Sequence, residues 1–151
     1  MSVSIKSAHE IELMRESCRR LSIVHKELEE AIRPGISTLD IDRLGEQSFF
    51  EGIKYAKAGH HLNEIGAAIG DYAESFGYGV VEELCGHGIG RNLHEDPEIP
   101  NFRQKRRGIK LVPGMTLAVE PMIKMGRKDV YWKDDDWTVA TEDGQYSAHY
   151  E

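Results

Sequence analysis

The chain has 151 residues, enough to bury a core without disulfides as one domain of ordinary size, so residues 1–151 are expected to form a single unit. Nineteen basic against twenty-six acidic residues give a formal charge of −7, which favours solubility and argues against general nucleic-acid affinity. Cys18 and Cys85 lie in unrelated contexts, as in a reduced cytosol; no apolar run nears the roughly 20 residues of a membrane span and the first dozen residues are charged rather than signal-like, so a cytoplasmic location without a membrane partner is expected.

Ser7 followed by Glu10 is a capping-box start, and Ile11, Met14, Cys18, Leu21, Leu28 and Ile32 then mark one helical face until Pro34-Gly35 stops it. Ser37 with Asp40 opens a second helix through Leu39 and Leu44, continuing across Ser48 into Phe49, Phe50 and Ile53. Leu62, Ile65, Ile69, Tyr72 and Phe76 mark a third, closed by Gly77 and Gly79. Arg33-Pro34-Gly35 with Asp40-Ile41 is echoed by Lys57-Ala58-Gly59 with Glu64-Ile65, which implies two copies of a helix, loop, helix unit, too few for a solenoid.

From Val80 the texture changes to β. Val80-Val81 and residues 115–123, 130–132, 137–141 and 145–150 are candidate strands. Asp134-Asp135-Asp136 and Glu142-Asp143-Gly144 supply turns, and the short connections predict that the last three strands form an antiparallel meander. The fold class is α+β, with helices packed on a small antiparallel sheet.

Gly86-His87-Gly88-Ile89-Gly90, then His94-Glu95-Asp96-Pro97, Glu120-Pro121 and Tyr150-Glu151, read together as half of a metal site. Imidazole with carboxylate suits a hard or borderline divalent cation such as Mn, Co, Fe or Zn, and glycines on both sides of His87 are expected to let backbone approach the ion. A lone histidine is more often a hydrogen-bonded structural residue; the glycines and downstream carboxylates favour a ligand here. His94, seven residues on, has an awkward spacing for a two-histidine helical site. Alternation puts Glu120 on one face with Thr116 and Ala118, and Leu117 and Val119 on the other, so small neighbours leave room beside the charge. Trp137 and Tyr150 read by default as strand core. Arg103, Lys105, Arg106, Arg107 and Lys110 form a basic loop, read first as solvated and, alternatively, as a phosphate-contacting patch.

The strings GHGIGRNLHEDPEIPNF, VPGMTLAVEPMI, DDDWTVATEDG and QYSAHYE resemble consecutive blocks of the methionine aminopeptidases, in the right order. Residues 1–47 resemble that family's N-terminal helices, and 48–151 its second, metal-binding half. The family's strand-rich middle block should carry a His-Gly-Tyr-Pro segment and two metal-binding aspartates, and none of those strings occurs here. The chain therefore reads as an internally shortened bacterial-type enzyme with a truncated pita-bread fold.

The resemblance implies a metal-dependent hydrolase that removes the initiator methionine from nascent proteins. It makes His87 a ligand through one neutral ring nitrogen, the other needing an acceptor. Glu120 becomes a ligand and proton shuttle, Glu151 a bridging ligand, and His94 a substrate-side catalytic residue that steadies the tetrahedral intermediate. Trp137 lies near the methionine pocket, and Leu93 stands where phenylalanine is common. Two divalent ions serve the family, and at most one is expected here. N-terminal methionyl peptides are the implied partners, with the basic loop facing ribosomal RNA. The sheet edge left by the missing strands is expected to promote self-association. A non-catalytic relative acting as a binding or scaffold module is the alternative, and an aminopeptidase or prolidase of other specificity is a third reading.

Overall fold

A computed structural model describes residues 3–31 and 39–151 of the chain. Ser7 opens α1 (Ala8–Ala31) with the expected reciprocal cap: its N–H donates to the Glu10 carboxylate at 2.9 Å, and the Glu10 N–H donates back to Ser7 Oγ at 3.3 Å. Arg15 with Glu12 and Arg19 with Glu16 make exposed ion pairs one turn apart. The stripe that periodicity assigns to the core includes Cys18, which is exposed, and neither buried apolar cluster of the described residues draws on α1. An amphipathic spacing makes a helix able to bury a face, but burial also needs an opposing surface. Pro34-Gly35 and Ser37 lie outside the described residues, and with them the loop of the echo's first copy.

The second helix, α2 (Leu39–Ile53), runs across Ser48 as expected, and the buried Ser48 hydroxyl donates to Leu44 O at 2.8 Å one turn back. The third, α3 (Leu62–Ser75), begins where the His61 N–H donates to Glu64 Oε1 at 2.9 Å, and stops at Gly77, whose φ of +80° suits glycine. On its buried side Gly66 and Gly70 admit another segment's backbone. A Cβ at Gly66 would stand 2.0 Å from Pro100 O, and one at Gly70 3.1 Å from Phe102 Cα.

Eight short strands follow among the described residues: β1 (Tyr78–Val80), β2 (Gly86–Gly88), β3 (Glu95–Ile99), β4 (Leu117–Ala118), β5 (Met122–Met125), β6 (Val130–Trp132), β7 (Val139–Thr141) and β8 (Ser147–His149). They form three antiparallel sheets, ordered β1-β5-β8, β3-β2-β4 and β6-β7. The α+β class holds, with three small sheets in place of one.

Two strand expectations are corrected. Residues 115–123 are not one strand: the run divides at Glu120-Pro121, β4 pairing with β2 and β5 with β1 and β8. Proline lacks the N–H that a continuing ladder requires, and buried Pro121 instead accepts the Tyr150 N–H through its carbonyl at 3.1 Å. Nor do the last three strands form a meander. β6 and β7 make a hairpin, whereas β8 leaves it to pair with β5, Met122 opposite His149 and Ile123 opposite Ala148. Asp143 imposes that departure by accepting the Arg127 N–H at 2.9 Å and the Gln145 N–H at 3.2 Å, which ties the start of β8 to the end of β5. Those hydrogen bonds, with the buried Lys124 ammonium 3.4 Å away, hold the Asp143 carboxyl below its ordinary range against the opposing pull of burial.

The core lies between α2, α3 and the strands. One cluster joins Leu62, Ile65 and Ile69 of α3 to Ile99, Leu111 and Val119; the other joins Leu44, Ala73, Val80 and Ile123. Leu117 and Met115 pack on the first beside Val119, so the alternation that turns Glu120 the other way is as the sequence predicts. The N-terminal segment is strapped down by buried Lys6, whose N–H donates to Gly114 O at 2.9 Å and whose ammonium donates to Glu95 at 2.7 Å.

Candidate metal centre

Glu120 stands where β4 ends and the chain crosses from one sheet to another. Its backbone carbonyl accepts the side-chain N–H of Asn101 at 2.8 Å. Asn101 is buried, and it is carried there by the segment that Gly66 and Gly70 let press against α3. Thus two helical glycines, through one asparagine, set the height at which the Glu120 carboxylate emerges.

His87 reaches the same place from β2, which is wedged between β3 and β4 with His87 opposite Glu98 on one side and Ala118 on the other. The flanking glycines serve this wedge. A Cβ at Gly86 would stand 2.2 Å from Ala118 O, and one at Gly88 2.2 Å from Asp96 O. They make room for neighbouring strands, which corrects the expectation that they open the backbone to an ion.

His87 Nδ1 lies 2.8 Å from Gly88 O, and because a carbonyl can only accept, the ring proton sits on Nδ1. This is the acceptor that a ligating imidazole requires on its far nitrogen. Nε2 faces Glu120 Oε1 at 3.1 Å, and both side chains are about 15% exposed or less. Glu120 Oε1 is buried without a hydrogen-bond donor. An imidazole nitrogen and a carboxylate oxygen directed at each other at 3.1 Å suit a cation held by both. Burial first, and the charge of Glu151 second, push the Glu120 carboxyl above its ordinary value, against the opposing influence of His87, His149 and His94.

His94 meets this pair from the open side, its ring 4.2 Å from that of His87 between centroids and tilted 53°. Glu151 is exposed and acts on Glu120 through its charge. Leu93 is 68% exposed, and Trp137, at the turn of the β6-β7 hairpin, is 87% exposed, so neither is enclosed in a wall. The Trp137 turn is set by Asp135, which accepts the N–H groups of Trp137 at 3.1 Å and Thr138 at 2.8 Å. Tyr150 packs its ring 5.2 Å from that of Phe49, in keeping with the strand-core reading.

Two polar residues escaped the sequence reading. His149 places Nε2 3.5 Å from Glu120 Oε2; its signal was the period-two relation to Glu151 along β8. Asn101 had no sequence signal, because its role comes from the close approach to α3. The fit to a divalent ion is therefore partial. His87 Nε2 and Glu120 are suitable donors, but among the described residues no group of three His, Cys, Asp or Glu side chains forms a ready-made cage.

Residues 46–146 match metallopeptidase family M24. The methionine aminopeptidase of Clostridium acetobutylicum is 50% identical over 109 residues, covering 72% of this chain and 44% of that protein. The Escherichia coli methionine aminopeptidase is 40% identical over 119 residues, covering 79% of this chain and 45% of the other. Among solved structures, methionine aminopeptidase from Rickettsia prowazekii superposes with a TM-score of 0.72 at 39% identity, over 76% of this chain and 47% of that one. The chain spans less than half the length of the curated relatives it matches.

Proposed function

The chain belongs to metallopeptidase family M24, and from that premise we propose that it is a methionine aminopeptidase-type hydrolase built on a reduced metal site. The observation that carries the reading is the opposition of His87 Nε2 to the buried, donorless Glu120 Oε1. In this reading His87 and Glu120 hold one divalent ion of the Mn, Co, Fe or Zn group, and Glu151 adds negative charge at the rim. A bound ion of this kind supplies Lewis acidity and lowers the pKa of water.

The chain's own residues do the rest. His87 stays in one tautomer because Gly88 O holds its Nδ1 proton. Glu120, beside the reacting centre in this reading, is the residue placed to shuttle a proton to the departing amine. His94, exposed beside His87, offers a ring N–H to the scissile carbonyl oxygen as charge develops there. The substrate class is a peptide with N-terminal methionine, and the setting is the cytoplasm.

A coupled methionine-release assay on a Met-Ala-Ser peptide with added Co or Mn tests this reading. Slow release that is lost in His87→Ala supports it. Turnover unaffected by His87→Ala would mean a contaminating enzyme and count against it.

One observation favours a nucleic-acid partner as well. The basic loop is pinned to the start of α3, where Asn63 Nδ2 donates to Gln104 O at 2.9 Å and the Gln104 N–H donates back to Asn63 Oδ1 at 2.7 Å. Arg103 is engaged by Asp71, while Lys105, Arg106, Arg107 and Lys110 are exposed. A braced loop presenting four cations suits a phosphate backbone such as ribosomal RNA.

A further inference from the structure

We propose that Lys6 is a positioning residue for His94, its buried ammonium holding, through the Glu95 carboxylate, the bend that seats the His94 ring beside His87. The proposal rests on the reading of His94 as the residue facing the scissile carbonyl, and names what holds it there.

His94 lies in a run of bends, residues 90–94, between β2 and β3, and is itself exposed. The neighbouring ladder does not fix its place, because the register of β2 on β3 shifts between His87 and Gly88 and brings Gly88 opposite Glu95. Yet the His94 ring sits 4.2 Å from that of His87, centroid to centroid. An exposed imidazole on an irregular loop keeps one seat when the loop around it is tethered.

The tether runs through Glu95. Its Oε1 accepts the Asn92 N–H at 3.1 Å, and its Oε2 accepts the Lys6 ammonium at 2.7 Å. The side chains are nearly enclosed, 5% exposed for Lys6 and 11% for Glu95, so the pair escapes the screening that weakens surface ion pairs. Lysine is fixed at both ends: the Lys6 backbone N–H donates to Gly114 O at 2.9 Å, and its ammonium also donates to Ser4 O at 3.1 Å. Its stem lies across the loop, since a Cβ at Gly90 would stand 2.1 Å from Lys6 Cε. Gly90, Asn92 and Glu95 are thus gathered around one lysine, and His94 is carried between the last two. A second link to this loop, Arg91 with Glu10 at 3.8 Å, is exposed and contributes little. Removing the ammonium would leave a nearly enclosed carboxylate without its counter-charge, a state the chain relieves by moving the loop toward water. Misplacing a reacting group by about 1 Å is enough to lower a rate severely.

The test is proton NMR of the histidine rings in the unaltered chain and in Lys6→Met, Glu95→Gln and Arg91→Ala. A ring-to-ring NOE between His87 and His94 is expected in the unaltered chain. Lys6→Met and Glu95→Gln should each lose that NOE and shift the His94 ring protons, whereas Arg91→Ala should keep both. The His60 ring, held by Glu64 and edge-on to Tyr55, should not move in any variant, which separates release of the loop from general loosening. If Lys6→Met does not fold by circular dichroism, Glu95→Gln carries the measurement. Retention of the NOE in the folded variants, or equal shifts at His60 and His94, would overturn the role of Lys6 and leave the reading of His94 standing. Absence of the NOE from the unaltered chain would overturn the seating itself. The reading of His94 has its own check, because added Met-Ala-Ser peptide should shift the His94 ring of the unaltered chain. No shift there would overturn the substrate role of His94 while leaving its seating by Lys6 intact.

Discussion

Asn101 and Glu120 illustrate how much of this site depends on single hydrogen bonds. The Asn101 side chain holds the Glu120 carbonyl in a buried setting, so Asn101→Ala should destabilise the chain by about 1–3 kcal/mol. A lower urea midpoint with an unchanged slope is the expected observation. Glu120→Gln keeps the shape but removes the charge, and should raise Kd for Mn(II) by at least about tenfold, measured by calorimetry. Glu95 provides a pH signature. The Lys6 ammonium first, then the Asn92 N–H, hold its carboxyl below its ordinary value against the effect of burial. A depressed folded value means that the contact stabilises the fold above the ordinary carboxyl pKa of about 4.3 and that this contribution is lost as pH falls through the folded value. Glu95→Gln should therefore lower the thermal midpoint at pH 7, and the difference from the unaltered chain should shrink in acid. An equal difference at both pH values would refute the linkage.

Elements in this chain are positioned by close backbone approach more than by their own propensity. Because α3 meets the 100–102 segment at Gly66, where a Cβ would lie only 2.0 Å from Pro100 O, Gly66→Ala must force the two apart. A loss of about 3 kcal/mol or more is expected by chemical denaturation, with weakened metal binding because Asn101 would move with the segment. The helices were legible because each carries a period near 3.6 and a stop or cap in its own residues, as in the Ser7 and Glu10 box. β2 and β3 were not, because a Gly-His-Gly strand and a strand containing Pro97 carry neither alternation nor β-branched enrichment. β2 owes its strand character to lying between β3 and β4, and β3 to its pairing with β2.

At the scale of the molecule, release of methionine from a Met-Ala-Ser peptide should be very slow or undetectable. The proposed one-ion site would lack one source of charge stabilisation, and loss of a single polar donor at a reacting centre typically costs about 10²–10³ in rate. Robust turnover, abolished in His87→Ala, would show that one ion suffices. The sheet edges also predict self-association, since unpaired backbone groups on β1 and β8 can template another strand. A clean monomer by sedimentation at high micromolar concentration would count against this. Among the described residues, no helix is long and apolar enough to cross a membrane.

The sequence by itself determined the family, the three helices and the β texture after Val80, because each of these is written in local spacing or in a contiguous motif, and it nominated His87 and Glu120 as candidates. Only the tertiary structure decided that residues 115–123 divide between two sheets, that β8 joins β5, that the glycines beside His87 accommodate strands, and that His149 faces Glu120. Those outcomes depend on which backbones lie against one another across long separations, and neither periodicity nor motif specifies such contacts.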